Sequence, residues 1–417
     1  MRPTALAVLT LLALLAIAGG LYAWDAEAYL RLRMAAGLKP FTPFLDLHAV
    51  MAAIACHDSG VDVYVTNPCD VMGRLHIYSP WWLRLPAVFG RPELTPFLGI
   101  ALALGFILSL LALPATRGRW AGVAMFLAVV SPDTVFALER ANMDALIFVA
   151  VLGGACLLSG GFAARMMAYG LFLVMGLLKF YPLVLLGLMV RERPAVAASL
   201  AMAALGLSAL AVLPLAGEFR QALALIPLLP AFSGTFGALQ LQDGIGALRP
   251  GETAIRALLG LALVAVALAG AWRLAAGAAA ADLPRREADL LLAGGALVVG
   301  CFIAGQSVEY RAVFLLMALP ALLTLGRAGR LAWVYRATTA IVVWLLWDPL
   351  ARRLVGRLAP AQGDVPGLPG LALWTLRELL WWWVVAVLAG LMAAVLRRGW
   401  ASQRASGYSA SQSAKCA

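Results

Sequence analysis

The chain has 417 residues, of which 63% are hydrophobic and 13% charged, and its mean hydropathy is +0.90. Soluble domains average about 45–50% apolar and about 25% charged residues, so this composition excludes a soluble globular enzyme, a disordered chain and a coiled coil. The formal net charge is +11. Most basic residues lie in short loops between apolar runs, where they orient a membrane protein, and no nucleic-acid partner is expected.

Apolar runs of roughly 20 residues recur along the whole chain, as in polytopic helical membrane proteins. The first run, residues 6–21, is followed by aromatic residues and lacks a small-residue cleavage site, so we interpret it as an uncleaved span. The later runs are residues 95–113, 119–137, 142–160, 166–190, 196–215, 253–272, 288–305, 311–325, 331–347 and 371–396. Together they predict an all-α bundle of about eleven transmembrane helices.

This bundle is predicted to form one membrane domain over residues 1–400. The Ser-rich end, residues 401–417, is predicted to be a disordered cytoplasmic tail. The Arg- and Ala-rich composition is typical of a GC-rich bacterial genome, so the expected location is the bacterial inner membrane.

The distribution of lysine and arginine predicts which loops face the cytoplasm. The run 166–190 has Arg165 before it and Arg191 after it, and Lys179-Phe180-Tyr181-Pro182 interrupts it. If the helix enters the membrane, breaks at the proline and returns, both basic clusters stay cytoplasmic. The sequence therefore predicts a re-entrant helix pair and cytoplasmic N- and C-termini. Residues 25–94 become a long first periplasmic loop.

The loops assigned to the periplasmic face carry most of the acidic residues, so the polar chemistry is expected there. The stretch 351–370, with Arg352, Arg353 and Arg357, fits this assignment least well. The cytoplasmic loops are short basic turns, and the sequence contains no glycine-rich nucleotide-binding loop. The energy for a reaction is therefore expected from an ion gradient or an activated substrate, without a cofactor.

The first periplasmic loop contains Cys56 and Cys69, which are the only two of the five cysteines assigned to this face. In an oxidising periplasm they can form a disulfide; the alternative is two free, half-buried thiols. All three histidines of the chain lie in the same loop, but they lack paired metal-ligand spacing. We predict no bound catalytic metal.

Several short motifs, in this order, resemble those of glycosyltransferase family 87. The motifs are Asp46-Leu47, Gly60-Val61-Asp62-Val63-Tyr64, Tyr78-Ser79-Pro80, Glu139-Arg140-Ala141-Asn142-Met143-Asp144, Lys179-Phe180-Tyr181-Pro182, and Tyr310-Arg311 before Leu319-Pro320, over residues 40–325. The resemblance implies the GT-C fold and a polyprenyl-phosphate sugar donor, as in polyprenol-phosphate-mannose-dependent mannosyltransferases. It also implies transfer on the extracytoplasmic side, with an acidic residue of the first outer loop as catalytic base.

The chemistry of such a transfer needs few groups. The departing phosphate is already a stable anion, so one carboxylate that takes the acceptor proton suffices and no general acid is required. We predict Asp46, near His48 in an interfacial helix, as this base, with Asp62 as the second choice. The structural alternative for Asp46 is a solvated carboxylate at a helix N-terminus.

The leaving phosphate needs fixed positive charge in a water-poor pocket. Three cations at helix ends or breaks are predicted to supply it: Arg140, Lys179 and Arg311. Side chains predicted to bind the sugar or phosphate by hydrogen bonds are Tyr78, Tyr181 and Asn142. Those predicted to support the site are His48, Asp62, Glu139, Asp144 and Glu309.

Structural alternatives remain open for most of these residues. Glu139 and Arg140 can pair as surface charges, and Asp144 can cap or begin a helix. Lys179 can be a snorkelling interfacial lysine. Glu309-Tyr310-Arg311 can form an internally neutralised turn.

The sequence thus predicts an inverting membrane glycosyltransferase that moves a single hexose or pentose, such as mannose, from a polyprenyl phosphate to a lipid or glycan acceptor. The alternatives are a secondary transporter and a flippase-type envelope assembly protein, because broken helices and buried charges would serve these as well. An outer loop rich in carboxylates is unusual for an alternating-access carrier, and no inverted repeat is evident.

Overall fold

The computed structural model describes residues 3–35, 42–249, 251–277, 283–359 and 365–413. The α-helices are α1 (Pro3–Trp24), α2 (Ala26–Ala35), α3 (Leu45–Asp58), α4 (Thr95–Ser109), α5 (Arg119–Val129), α6 (Pro132–Arg140), α7 (Met143–Leu158), α8 (Phe162–Lys179), α9 (Pro194–Val212), α10 (Ala216–Ala224), α11 (Gln240–Leu248), α12 (Thr253–Ala276), α13 (Arg285–Ala304), α14 (Leu315–Leu325), α15 (Ala332–Leu346), α16 (Asp348–Leu358) and α17 (Leu368–Ser413). Short 3₁₀ helices span Pro80–Arg84, Ala87–Gly90, Pro92–Leu94, Leu110–Ala112, Tyr181–Arg191, Leu213–Leu215 and Glu309–Phe314.

Eight helical segments of the described residues are long and apolar enough to cross a membrane. They are Pro3–Trp24, Pro92–Ala112, Arg119–Arg140, Phe162–Lys179, Pro194–Ala224, Thr253–Ala276, Arg285–Ala304 and Leu368–Arg398. Three shorter apolar helices are Met143–Leu158, Tyr181–Arg191 and Ala332–Leu346. The chain is therefore an all-α, multi-pass membrane protein.

The centre of the bundle is built from α13 and α14, and most of their side chains are buried. The two helices approach so closely that a Cβ atom at Gly294 would lie 2.6 Å from the Cβ of Met317, so the crossing requires a glycine there. By contrast, α9 and α12 bury almost none of their apolar side chains. Apolar helix faces of this kind are stable where lipid, not water, surrounds them.

The chain reverses direction at Phe180, between α8 and the 3₁₀ helix Tyr181–Arg191. Pro182 cannot continue α8, and the two helices return side by side, with Gly176 against Leu183. At the far end of this hairpin the Arg165 guanidinium lies 2.6 Å from the Glu192 carboxylate. The two ends of the hairpin therefore lie together.

The segment between α1 and α4 forms a folded cap that contains α2 and α3. The sulfur atoms of Cys56 and Cys69 are bonded, with 5.8 Å between the two Cα atoms. This bond ties the end of α3 to the following turn. Residues 36–41, which include Lys39, lie outside the described part of the chain.

Arginines near the helix ends form a further set of contacts, away from this cap. Arg191 lies 2.6 Å from Asp289, and Ser159 donates to the same carboxylate. Arg286 donates to the Ala112 carbonyl. These contacts connect loops that are far apart in sequence.

Two features concern the second half of the chain. Strand β1 (Thr235–Phe236) pairs antiparallel with β2 (Ser307–Val308), with Thr235 opposite Val308. The sequence predicts disorder for residues 401–417, but helix α17 continues into this segment and ends at Ser413. Residues 278–282, with Asp282, residues 360–364, with Asp364, and residues 414–417, with Lys415, lie outside the described part.

Candidate functional site

Asp46 lies in the first turn of α3, at the end of the bundle that carries the cap. Its side chain is nearly buried, with 7% of the residue exposed. Oδ1 accepts hydrogen bonds from Arg140 and, at 3.4 Å, from Arg74, while Oδ2 accepts one at 2.6 Å from the Asn142 amide. These contacts hold the carboxylate in one orientation and leave one further lone pair, on Oδ2.

Asn142 connects Asp46 to a second charged group. It is the N-cap of α7, and its Oδ1 accepts the backbone N–H of Asp144 at 2.9 Å. The same oxygen accepts a 2.7 Å hydrogen bond from the Lys179 ammonium, while Nδ2 donates to Asp46. The capping residue therefore orients the base candidate and the phosphate-binding candidate at once.

The second charged group is centred on Asp144, which is completely buried. Its carboxylate lies 2.7 Å from Lys179 Nζ and 3.4 Å from Arg311 Nε, and it accepts a 2.6 Å hydrogen bond from the Tyr181 hydroxyl. Two cations thus share one carboxylate, so the group has excess positive charge. A buried cluster of this kind suits an anionic ligand.

Aromatic faces lie under both cations. The Lys179 ammonium is 5.3 Å from the centre of the Tyr78 ring, and the Arg311 guanidinium is 5.0 Å from that of Tyr181. Burial raises the pKa of the Tyr78 hydroxyl, and the charges of Asp46 and Asp144 raise it further. Tyr78 therefore lies between the two charged groups as a neutral hydroxyl.

Backbone strain is concentrated at the same place. Among the described residues, three that are not glycine have positive φ: Phe44 (59°), Ala141 (43°) and Phe180 (59°). Phe44 lies two residues before Asp46, Ala141 separates Arg140 from Asn142, and Phe180 follows Lys179. Such conformations cost of order 1–3 kcal/mol each and cluster at functional sites, where the surrounding structure enforces them.

The structure therefore brings together eight residues that the sequence singles out: Asp46, Tyr78, Arg140, Asn142, Asp144, Lys179, Tyr181 and Arg311. They come from distant parts of the chain. Of the local alternatives, Asp144 does lie in the first turn of α7, although Asn142 is the N-cap, and Arg311 pairs with Asp144 instead of forming a neutralised turn with Glu309.

Four other predicted residues lie outside this cluster. Glu139 pairs with Arg33 at 2.6 Å, and Glu309 pairs with Arg352. Asp62 is exposed and accepts the backbone N–H of Tyr64 at 3.0 Å, which is a local turn. His48 lies 3.4 Å from the Thr95 hydroxyl.

The sequence analysis missed Arg74 as a site residue. Asp70 binds the Arg74 guanidinium through both carboxylate oxygens, at 2.8 and 2.9 Å, and so directs it toward Asp46. Burial alone raises the pKa of Asp70, but hydrogen bonds from the side chain and backbone of Arg74 outweigh it and hold the pKa below its usual value. The i, i+4 spacing of Asp70 and Arg74 was the available signal.

His76 gives the cap a pH dependence that can be tested. Burial lowers its pKa to about 4, so the folded protein holds it neutral at pH values where the unfolded chain, with a pKa of about 6.5, binds a proton. Stability should therefore be complete above pH 6.5 and fall toward pH 4, with a loss of about 2 kcal/mol at pH 5. We expect His76→Gln to reduce the difference in thermal midpoint between pH 7.5 and pH 5. A variant that keeps the whole difference would contradict this assignment.

No family model, curated protein or solved structure matches the chain. Among the described residues, no group of three His, Cys, Asp or Glu side chains is arranged to hold a metal ion.

Proposed function

We propose that this protein is a membrane glycosyltransferase that moves one sugar from a polyprenyl phosphate to a lipid or glycan acceptor. The observation that carries the proposal is the link between Asp46 and Lys179 through the Asn142 amide. A carboxylate suited to accept a proton and a cation suited to bind a phosphate are separated only by one amide group and two hydrogen bonds. This spacing suits a single sugar ring held between acceptor and phosphate.

In the proposed reaction, Lys179 and Arg311 bind the donor phosphate. Asp144 orients both cations, and the faces of Tyr78 and Tyr181 exclude water beneath them. Fixed cations in a dry site stabilise the charge that develops on the leaving phosphate. The sugar is released with the bonding electrons left on the phosphate oxygen, so no protonation of the leaving group is needed.

Asp46 acts as the general base. The acceptor hydroxyl attacks the anomeric carbon from the side opposite the phosphate, which inverts the configuration, and its proton passes to a free lone pair of the Asp46 carboxylate. Arg140 and Asn142 keep this carboxylate fixed toward the acceptor. One carboxylate performs the step, unlike the pair used in glycoside hydrolysis.

The site belongs to the periplasmic end in this proposal. The opposite end collects Arg165, Arg191 and Arg286, which the positive-inside rule assigns to the cytoplasm. The hairpin at Phe180 then enters from the cytoplasmic side and returns to it, with Lys179 at its tip. Seven of the eight long apolar segments cross, since Phe162–Lys179 is one arm of the hairpin, and α7, α15 and residues 309–325 bring the crossings to ten. The re-entrant hairpin is then the eleventh membrane segment, and the even number of crossings leaves both termini on the same side. Both termini are cytoplasmic in this arrangement.

A gene deletion tests the function. We expect mass spectrometry of envelope lipids and glycans to show the loss of one hexose or pentose increment and the accumulation of the sugar-charged polyprenyl phosphate. A deletion strain that retains every increment would contradict the proposal. If detergent-opened membranes of that strain still form the product, then delivery of the donor, and not transfer, is the missing step.

A further inference from the structure

A cavity with charged walls lies beside the candidate functional site but is separate from it. Its volume is about 630 Å³, and its walls include Phe136 of α6, Glu309, and the arginine-bearing face of α16. Phe136 packs edge-on against Tyr310, with 5.6 Å between the ring centres, and its ring is 6.0 Å from the Arg140 guanidinium. Phe136 therefore separates this cavity from Arg140 and Asp46.

The positive charge of the cavity is only partly neutralised. Arg352 pairs with Glu309 and, at 2.6 Å, with Asp348. Arg353 and Arg357 also line the cavity, and within the described ranges neither is in a salt bridge; the buried Nε of Arg353 has no hydrogen-bond partner. Two guanidinium groups are thus available to an anion, and the planar fork of arginine matches phosphate oxygens.

The outer face of α16 indicates where this anion comes from. Leu354 and Leu358 are 51% and 86% exposed, one position further along the helix from Arg353 and Arg357. Adjacent apolar and cationic stripes are typical of helices that lie in the membrane interface, with arginines at the depth of the lipid phosphates.

We propose that this cavity binds the phosphate group of a lipid, with the phosphate on Arg353 and Arg357 and the acyl portion along Leu354 and Leu358. This inference does not depend on the proposed transfer reaction. Because Glu309 pairs with Arg352 of α16 and lies two residues before Arg311, the lipid site and the candidate active site share one chain segment.

Native mass spectrometry of the full-length protein in detergent tests the proposal with phosphatidylglycerol, phosphatidylcholine and glycerol 3-phosphate as probes. We expect wild type to bind phosphatidylglycerol more tightly than phosphatidylcholine, and the double variant R353Q/R357Q to weaken phosphatidylglycerol binding about tenfold, which corresponds to about 1.4 kcal/mol. The control R119Q/R193Q removes the same charge from two exposed arginines elsewhere and should stay within about twofold of wild type.

Equal phosphatidylglycerol binding by R353Q/R357Q and the control would overturn the proposal. A loss of glycerol 3-phosphate binding without a change in lipid binding would overturn the lipid assignment, since the site would then take a soluble phosphate. Both variants count as folded if their thermal midpoints lie within a few degrees of wild type. If the double variant unfolds, the single variants R353Q and R357Q replace it.

Discussion

Asp46→Asn is expected to abolish the sugar increment while the protein accumulates normally. The amide cannot accept the acceptor proton, and loss of a general base lowers rates by about 100- to 10,000-fold. Asparagine keeps the size of the side chain and one acceptor oxygen for Arg140, so the cap should remain folded. The measurement compares the increment, by mass spectrometry, between wild type and variant at equal protein level.

Asp62→Asn is the matched control for this experiment. Asp62 is a carboxylate of the same cap, but it is exposed, and its side chain accepts the N–H of nearby Tyr64 in a local turn. The substitution should leave the increment within about twofold of wild type, because an exposed turn residue contributes little. If Asp46→Asn restores the increment in a deletion strain, then Asp46 is not the base, and transport or assembly becomes the leading explanation.

The sequence indicated which residues belong to the candidate site better than it indicated which of them contact each other. Lys179 stood out as the only lysine inside an apolar run, Arg140 and Arg311 stood out as charges near the ends of such runs, and Asp46 stood out through its family-like motif in the first outer loop. Ionisable groups at membrane depth are rare and mark functional positions, so sequence alone can find them.

Which partner each charge takes is decided by the tertiary structure. Glu139 and Arg140 are neighbours in the chain, but successive side chains on a helix point about 100° apart, so Glu139 faces Arg33 and Arg140 faces Asp46. Arg74 contacts Asp46, 28 positions earlier, across the rest of α3 and the irregular segment after it, and no periodicity indicates that contact.

The positive φ angles near the candidate site could not be predicted from the sequence either. Ala141 and Phe180 have no intrinsic preference for positive φ, and tertiary contacts impose these angles. The number of spans does not follow from hydropathy alone either. Helices α7 and α15 have 16 and 15 residues, which is less than a full crossing usually needs, and a short span and a buried core helix have the same hydropathy.

Asp144→Asn is expected to be the most destabilising single substitution in the site. The carboxylate is completely buried and compensates both Lys179 and Arg311. Removing one member of a buried charge cluster leaves uncompensated charge and costs about 3–5 kcal/mol. The readout is the thermal midpoint in detergent, which should fall by several degrees or more, together with a lower yield of folded protein.

Two comparison variants separate this charge effect from a general loss of packing. Glu218→Gln makes the same chemical change in a partly exposed ion pair, 2.5 Å from Arg84, and should cost less than about 1 kcal/mol. Asp144→Asn combined with Lys179→Met removes a cation as well and should recover part of the lost stability, because only Arg311 then remains without its carboxylate. Although it is more stable than Asp144→Asn, this double variant should still make no product, because the Lys179 ammonium that binds the phosphate is gone. Equal thermal midpoints for Asp144→Asn and Glu218→Gln would show that Asp144 does not hold the two cations in place.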